Sequence, residues 1–205
     1  MNIKTRKITI TAILAALTLL LGLTPIGFIP IPPLTVTLMC IPVIIGTLLE
    51  GLSVGLTLGF VFGLTSLCQA IGFTLVPNPF GMWLISNFPL QAVITIFIPR
   101  LLIPVVVWSV IKPFSTQEKG FKNKFGIGLS AFAGSLANTV FFLGFLYLLM
   151  LPNAEALAPN LGTTPEGLLS VIAGIGAMNG LPEAAVAVIL TIPIVMAIRK
   201  LKNKK

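Results

Sequence analysis

The 205-residue sequence has very little charge and contains no histidine. Only 9% of its residues are Asp, Glu, Lys or Arg, whereas soluble domains carry about a quarter. Hydrophobic residues make up 56% of the chain, and the mean hydropathy is +1.07. These values exclude an ordinary soluble domain and indicate an integral membrane protein.

Other absences narrow the functional classes. Without histidine, the chain lacks the usual metal ligand and the side chain that most easily titrates near neutral pH. Cys40 and Cys68 lie in apolar segments without a CxxC spacing, which favours buried thiols over a disulfide framework or a metal site. The five acids include no acidic pair, and no GxxxxGK[ST] phosphate loop is present. The sequence therefore predicts no enzyme, no metal and no cofactor held by this chain.

Long apolar runs dominate what is present. Since each bilayer crossing takes about twenty apolar residues, the length accommodates roughly six helices. The loops 27–36, 72–86 and 151–166 are long, apolar and interrupted by Pro and Gly. We expect a single all-α domain over 1–205, a six-transmembrane-helix bundle with short cytoplasmic loops and longer Pro/Gly-rich extracellular loops. The predicted helices are 7–26, 37–49 (short for a span), 52–71, 87–112, 125–150 and 167–198, the last interrupted at 179–182.

The cations predict the orientation. They fall into three groups, which precede the first helix, flank the loop between the fourth and fifth, and follow the sixth. With six crossings all three groups lie on one side, which the positive-inside rule makes the cytoplasm. The sequence thus predicts a multi-pass protein with both termini cytoplasmic, and the net charge of +8 indicates membrane orientation rather than nucleic-acid binding. The groups are Lys4, Arg6 and Lys7; Lys112, Lys119, Lys122 and Lys124; and Arg199, Lys200, Lys202, Lys204 and Lys205.

Arg100 is the exception to this distribution, because it lies about twelve residues before the next cation, roughly 18 Å along a helix. A cation at that depth is costly unless it faces a bundle interior, a partner or a water-filled cavity. By the same helical rise, Asn138 and Glu183 reach similar heights, and Gln91 and Asn179 lie somewhat higher. These five residues predict the polar layer of a solute-binding pocket.

The same residues also have a structural interpretation. Arg100 and Glu183 can pair and join two helices, while Asn138 and Asn179 can form hydrogen bonds between helices. The GxxxGxxxG series over 55–63 indicates a flat face for close helix packing.

Ala12 and Ala16, four residues apart in TAILAALTLL, resemble the AxxxA element of the S components, the substrate-binding subunits of energy-coupling-factor (ECF) vitamin transporters. Leu52-Ser53 departs from the Gly-Pro turn of many members. Within that superfamily the chain is most similar to the pantothenate-specific type. The resemblance covers nearly the whole chain and includes GFIPIPPLTVT, IPVIIGTLLEGLSVGLTLGFVFGLTS, NFPLQAVITIFIPRLLIPVVV, GSLANTVFFLGFLYLL and NGLPEAAVAVILTIPIV.

The resemblance implies a subunit of the bacterial plasma membrane that captures a vitamin from outside and delivers it inward. It implies as partners a transmembrane coupling subunit, docked on Ala12 and Ala16, and two ABC ATPases that use the ATP. Pantothenate fits the predicted layer, because Arg100 offers its carboxylate a bidentate partner and Asn138, Asn179 and Gln91 offer polar partners. The alternatives are an S component for folate, riboflavin or cobalamin, and an autonomous small-solute carrier.

Overall fold

The computed structural model describes residues 3–31, 34–114 and 121–202, and most of these residues are helical. The helices are α1 (Ile3–Leu23), α2 (Cys40–Glu50), α3 (Leu52–Ala70), α4 (Pro79–Asn87), α5 (Pro89–Ile111), α6 (Phe121–Met150), α7 (Ala154–Leu157) and α8 (Leu168–Lys202). Single 3-10 turns occur at Pro25–Gly27, Lys112–Phe114, Leu151–Asn153 and Ala158–Leu161, and two strands, β1 (Phe28–Ile31) and β2 (Leu34–Thr37), form a hairpin.

Five of the described helices, α1, α3, α5, α6 and α8, are long and apolar enough to cross a bilayer. The predicted helical membrane bundle is confirmed in these five. The helix α2 has only 11 residues, about 16 Å, whereas the hydrocarbon core is about 30 Å thick. The count of six crossings therefore stays a prediction.

The predicted first and second outer loops contain regular structure. The sequence predicts a loop over residues 27–36, but strands β1 and β2 pair antiparallel there, from Phe28 opposite Thr37 to Ile31 opposite Leu34. Residues 72–86 include most of α4. The Asn78 side chain caps this helix by accepting a hydrogen bond from the Gly81 amide at 3.1 Å, and a proline follows the cap at the first helical position, where it is well tolerated.

The predicted interruption of the last helix at 179–182 is wrong, because α8 continues through Pro182. A proline removes only one amide donor from a helix, and the packing of α8 against α6 is close at this position. A Cβ atom on Gly180 would lie 3.1 Å from Cγ2 of Thr139 on α6. The continuous packing outweighs the single lost hydrogen bond.

The short helix α2 is the centre of the bundle. Every residue from Cys40 to Leu48 is buried, and α2 contacts α1, α3, α5, α6 and α8. Its side chains form much of the larger hydrophobic core, in which Val43 and Ile44 are fully buried. Protein therefore surrounds this helix, whereas the five long helices each also expose large apolar side chains.

The side chains of Lys7 and Arg199, near the two ends of the chain, form hydrogen bonds with other helices at one end of the bundle. Nζ of Lys7 on α1 donates to Oγ of Ser53 at 3.2 Å, near the start of α3. The guanidinium of Arg199 on α8 donates to Oδ1 of Asn123 on α6 and to the carbonyl oxygen of Leu48 on α2, both at 2.9 Å. We call this region the basic end of the bundle.

The glycines of α3 pack against α5, as the GxxxGxxxG series predicted. A Cβ atom on Gly59 would lie 2.6 Å from the carbonyl oxygen of Arg100, and one on Gly63 would lie 2.6 Å from the Phe97 ring. Pro104, four residues after Arg100, has no amide hydrogen to donate to that carbonyl. The backbone at Arg100 is thus positioned by direct contact with a glycine.

Gly59→Ala is expected to destabilise the purified protein by about 1–3 kcal/mol, because its methyl group would collide with backbone rather than with a flexible side chain. The apparent midpoint of thermal unfolding in detergent should fall. Gly144→Ala is the matched control, since a Cβ atom there meets nothing within 4 Å, and it should leave the midpoint unchanged or slightly raised. Equal midpoints for the two variants would contradict the proposed close packing.

Candidate solute-binding cavity

A cavity of about 560 Å³ lies inside the bundle, between the hairpin, α3, α5, α6 and α8. Its volume falls in the range typical of small-molecule sites. Four of the five residues predicted from the sequence line it. The lining residues are Phe28, Thr37, Met39, Phe62, Gln69, Asn78, Arg100, Asn138, Thr139, Phe142, Leu143, Ile175, Asn179 and Glu183.

The first residues of α2 mark the floor of this cavity. Thr37 and Met39, which lead into α2, belong to its lining. Sγ of Cys40 lies 3.9 Å from Oγ of Ser135 on α6, nearly one helical turn before Asn138. The cavity therefore occupies the space inside the ring of long helices that the short α2 does not fill.

The guanidinium of Arg100 is held between two phenylalanine rings. Its Cζ atom lies 5.2 Å from the ring centroid of Phe62 on α3 and 5.0 Å from that of Phe142 on α6, within the range of cation–π attraction. Nε and Nη1 are buried and have no hydrogen-bond partner in the described part of the chain. Because buried donors are nearly always satisfied, these two atoms are suited to an anionic ligand.

The hydrogen bonds of Glu183 are made to the hairpin. Its Oε1 atom accepts hydrogen bonds from the Thr37 amide at 3.0 Å and from the Thr37 hydroxyl at 2.8 Å. Neither Nε nor Nη1 of Arg100 bonds to Glu183, although the two charges attract each other. The alternative in which Arg100 and Glu183 hold two helices together therefore stays a prediction. Glu183 attaches the end of β2 to α8 beside the cavity.

The comparisons with known proteins agree with this geometry. The family profile described as "ECF transporter, substrate-specific component" matches residues 6–195. The chain belongs to this family. A relative, the pantothenic acid transporter PanT of Lactococcus lactis subsp. cremoris (strain MG1363), is 36% identical over 183 residues, which cover 83% of this chain and 81% of the relative. The chain is thus an S component, a multi-pass membrane protein of transport rather than an enzyme.

The predicted site residues of this S component separate into two groups. Arg100, Asn138, Asn179 and Glu183 come together around the cavity, and Gln91 is not among its described lining residues. Oδ1 of Asn138 is buried without a hydrogen-bond partner among the described residues, so this atom is also available to a ligand. Their contacts with substrate stay predictions.

Other polar residues of the S component cavity were not predicted. Gln69 is buried at the end of α3, and its Nε2 atom donates to the carbonyl oxygen of Gly22 on α1 at 2.7 Å. Asn78 lies at the start of α4, and Thr37 at the end of β2. The sequence gives a signal for Gln69, a glutamine in the apolar segment SLCQA. Asn78 and Thr37 reach the cavity only through the tertiary fold.

The surface of the S component beyond the cavity is apolar. Phe73 and Leu75, in the loop before α4, are 77% and 76% exposed. The Leu75 amide donates to the carbonyl oxygen of Leu23 at 3.2 Å, so this loop lies beside the end of α1.

At the exposed Glu166, hydrogen bonds from its own backbone N–H and from the Thr164 hydroxyl lower the pKa of the carboxyl below its usual value.

Glu183→Ala is expected to release the hairpin, because the Thr37 amide loses its acceptor while Glu183→Gln keeps an oxygen at that position. Loss of a hydrogen bond of this kind is worth about 1–3 kcal/mol, which corresponds to roughly tenfold or faster hydrogen exchange at the Thr37 amide. Exchange followed by mass spectrometry on the purified S component checks this. If Glu183→Ala protects the Thr37 amide as well as Glu183→Gln does, the hairpin is held by other contacts.

Proposed function

We propose that this S component binds pantothenate on the extracellular side and delivers it into the cell together with the ECF coupling module. The observation that carries the proposal is the buried Arg100 guanidinium, which has two donor atoms without a protein partner inside a cavity that also contains amide side chains. The pantothenic acid transporter that is 36% identical to this chain supports the same ligand.

The carboxylate of pantothenate pairs with Arg100 in this proposal. A guanidinium binds a carboxylate through two parallel hydrogen bonds, and the rings of Phe62 and Phe142 hold its plane in place. Asn138 and Asn179, which line the same cavity, are the partners we assign to the amide of the ligand. Arg100, Asn138 and Asn179 lie on three different helices, so that ligand binding would join α5, α6 and α8.

The other end of the ligand reaches Gln69 and Asn78. Gln69 lies seven residues beyond Phe62 on α3, about 10 Å along the helix axis. Pantothenate is equivalent to about three peptide units, which span about 10 Å when extended. A ligand held by Arg100 at its carboxylate therefore brings its terminal hydroxyl to these two amides.

We assign the sixth crossing to α2 together with the hairpin. The hairpin continues the path of α2 from the middle of the bundle toward the end opposite the basic end, and protein surrounds α2 on all sides. Non-helical backbone at membrane depth is tolerated where it lines a cavity. By the positive-inside rule, the basic end and both termini then face the cytoplasm of a bacterial cell.

Ala12 and Ala16 form the docking surface for the transmembrane coupling subunit in this proposal. Both are exposed on α1, and residues four apart share one face of a helix. Two ABC ATPases bound to the coupling subunit would use the ATP, so that this chain needs no cofactor of its own. The exposed apolar side chains beyond the cavity suit a subunit whose outer loops enter the bilayer as substrate is released inward.

Binding measurements on the purified protein test the ligand. Isothermal titration should show tight binding of pantothenate and much weaker binding of folate, riboflavin and cobalamin, and mass spectrometry should identify pantothenate as the molecule that copurifies. Preference for another of these vitamins would overturn the assignment. Uptake by cells that express this chain without the coupling module would instead support an autonomous carrier.

A further inference from the structure

A second concavity, which we call the α1–α3 groove, lies at the basic end of the bundle. It encloses about 520 Å³ between α1 and α3 and shares no described lining residue with the solute cavity. Its polar lining includes Lys4, Lys7 and Ser53, and its apolar lining includes Ala12, Ala15 and Val54. None of its described lining residues is acidic.

The charged residues of the lining lie at one end of the groove. The hydroxyls deeper in it, those of Thr11 and Thr57, donate to carbonyl oxygens of their own helices. Lys4 and Lys7 lie in the first turns of α1, whereas Ala15 lies eight residues beyond Lys7, about 12 Å deeper. On α3, Ser53 is the second residue of the helix, and the wall continues inward from it. A charged mouth followed by an apolar interior matches a phospholipid, whose headgroup lies at the membrane interface and whose acyl chain lies in the hydrocarbon.

Lys7, at the mouth of the groove, is positioned for an anion. Nζ of Lys7 donates to Oγ of Ser53 at 3.2 Å, which fixes the ammonium over the groove. A lysine ammonium has three donors, so two remain for a second acceptor. Basic side chains next to the cytoplasmic leaflet are each attracted to anionic lipid by about 1 kcal/mol.

We propose that the α1–α3 groove binds one anionic phospholipid of the adjacent leaflet, with its phosphate at Lys7 and Ser53 and one acyl chain along Ala12, Ala15 and Val54. The charge of the mouth selects an anion, and the apolar interior selects one that carries a chain. Since Ala12 also belongs to the docking surface in the proposed function, the lipid must leave this position when the coupling subunit docks. The lipid site itself does not depend on that function.

Native mass spectrometry of the protein released from nanodiscs tests the site. Nanodiscs of equal parts phosphatidylglycerol and phosphatidylcholine should yield protein that retains one phosphatidylglycerol. Lys7→Gln combined with Ser53→Ala should reduce the retained fraction about tenfold. Lys124→Gln, which removes the same charge from an exposed position on α6 near the same end, should leave the fraction unchanged.

Several outcomes would overturn the proposal. Equal losses in the double variant Lys7→Gln, Ser53→Ala and in Lys124→Gln would indicate a diffuse attraction of lipid to the basic surface. Equal retention of phosphatidylcholine would show that the charge of the headgroup plays no role. Displacement of the lipid by millimolar glycerol phosphate would identify a headgroup site without a chain. Pantothenate binding, measured on the same variants, should stay unchanged and separates this test from that of the proposed function.

Discussion

Replacing Arg100 by alanine is expected to weaken pantothenate binding by at least about 100-fold. The substitution removes the proposed charge-assisted, bidentate contact with the ligand carboxylate, next to the rings of Phe62 and Phe142. Such contacts are worth about 3 kcal/mol or more when one partner is left buried and unpaired. A factor of ten in the dissociation constant corresponds to about 1.4 kcal/mol. Isothermal titration of the purified variant measures the loss.

Two controls separate recognition from folding. Arg100→Lys keeps the charge but loses the planar fork, so its affinity should fall between those of the wild type and the alanine variant. The thermal unfolding midpoint of Arg100→Ala should stay closer to that of the wild type than the midpoint of Glu183→Ala does. Nε and Nη1 of Arg100 make no hydrogen bond to described residues, whereas Glu183 accepts two from Thr37. Wild-type affinity in Arg100→Ala would rule out the carboxylate assignment.

Ala12→Trp is expected to abolish assembly with the coupling module while leaving pantothenate binding intact. Ala12 is exposed on α1 and does not line the solute cavity. A large ring on a face of small residues prevents the close approach of a neighbouring helix. Copurification with a tagged coupling subunit measures assembly, and titration measures binding.

Ala185→Trp is the matched control, because Ala185 is an exposed alanine on the spanning helix α8. It should assemble normally, which would show that a tryptophan on a lipid-facing surface is tolerated in general. If Ala12→Trp assembles as well as Ala185→Trp, the coupling subunit docks elsewhere. Lost pantothenate binding in Ala12→Trp would mean that this face of α1 packs inward.

Counting residues from the charged helix ends was enough to predict four of the fourteen residues that line the cavity. The helical rise converts sequence separation into depth, and depth alone brought Arg100, Asn138 and Glu183 into one layer. Rotation about the helix axis decides which residues of a layer face inward. Gln91 precedes Arg100 by nine residues, about two and a half turns, so it points to the opposite side of α5.

The rest of the site depends on contacts that have no signature in a single sequence. Phe62 and Phe142 are two among many phenylalanines in apolar helices, and only the packing of α3 and α6 around α5 identifies them as the partners of Arg100. Thr37 lines the cavity because the hairpin places it beside Glu183. The supposed break at Pro182 failed for the same reason, since packing along α6 keeps α8 continuous.

The length of α2 determines how much room a substrate has. Each additional turn of α2 at its first residue would raise the cavity floor by about 5.4 Å and consume roughly half of the 10 Å between Phe62 and Gln69. An insertion there would thus admit only shorter nutrients, whatever residues it contained. In the proposed site, the number of residues between Thr37 and Gly51 would thus limit the length of the ligand, while Arg100 and the amide side chains of the lining would select its charge and polarity.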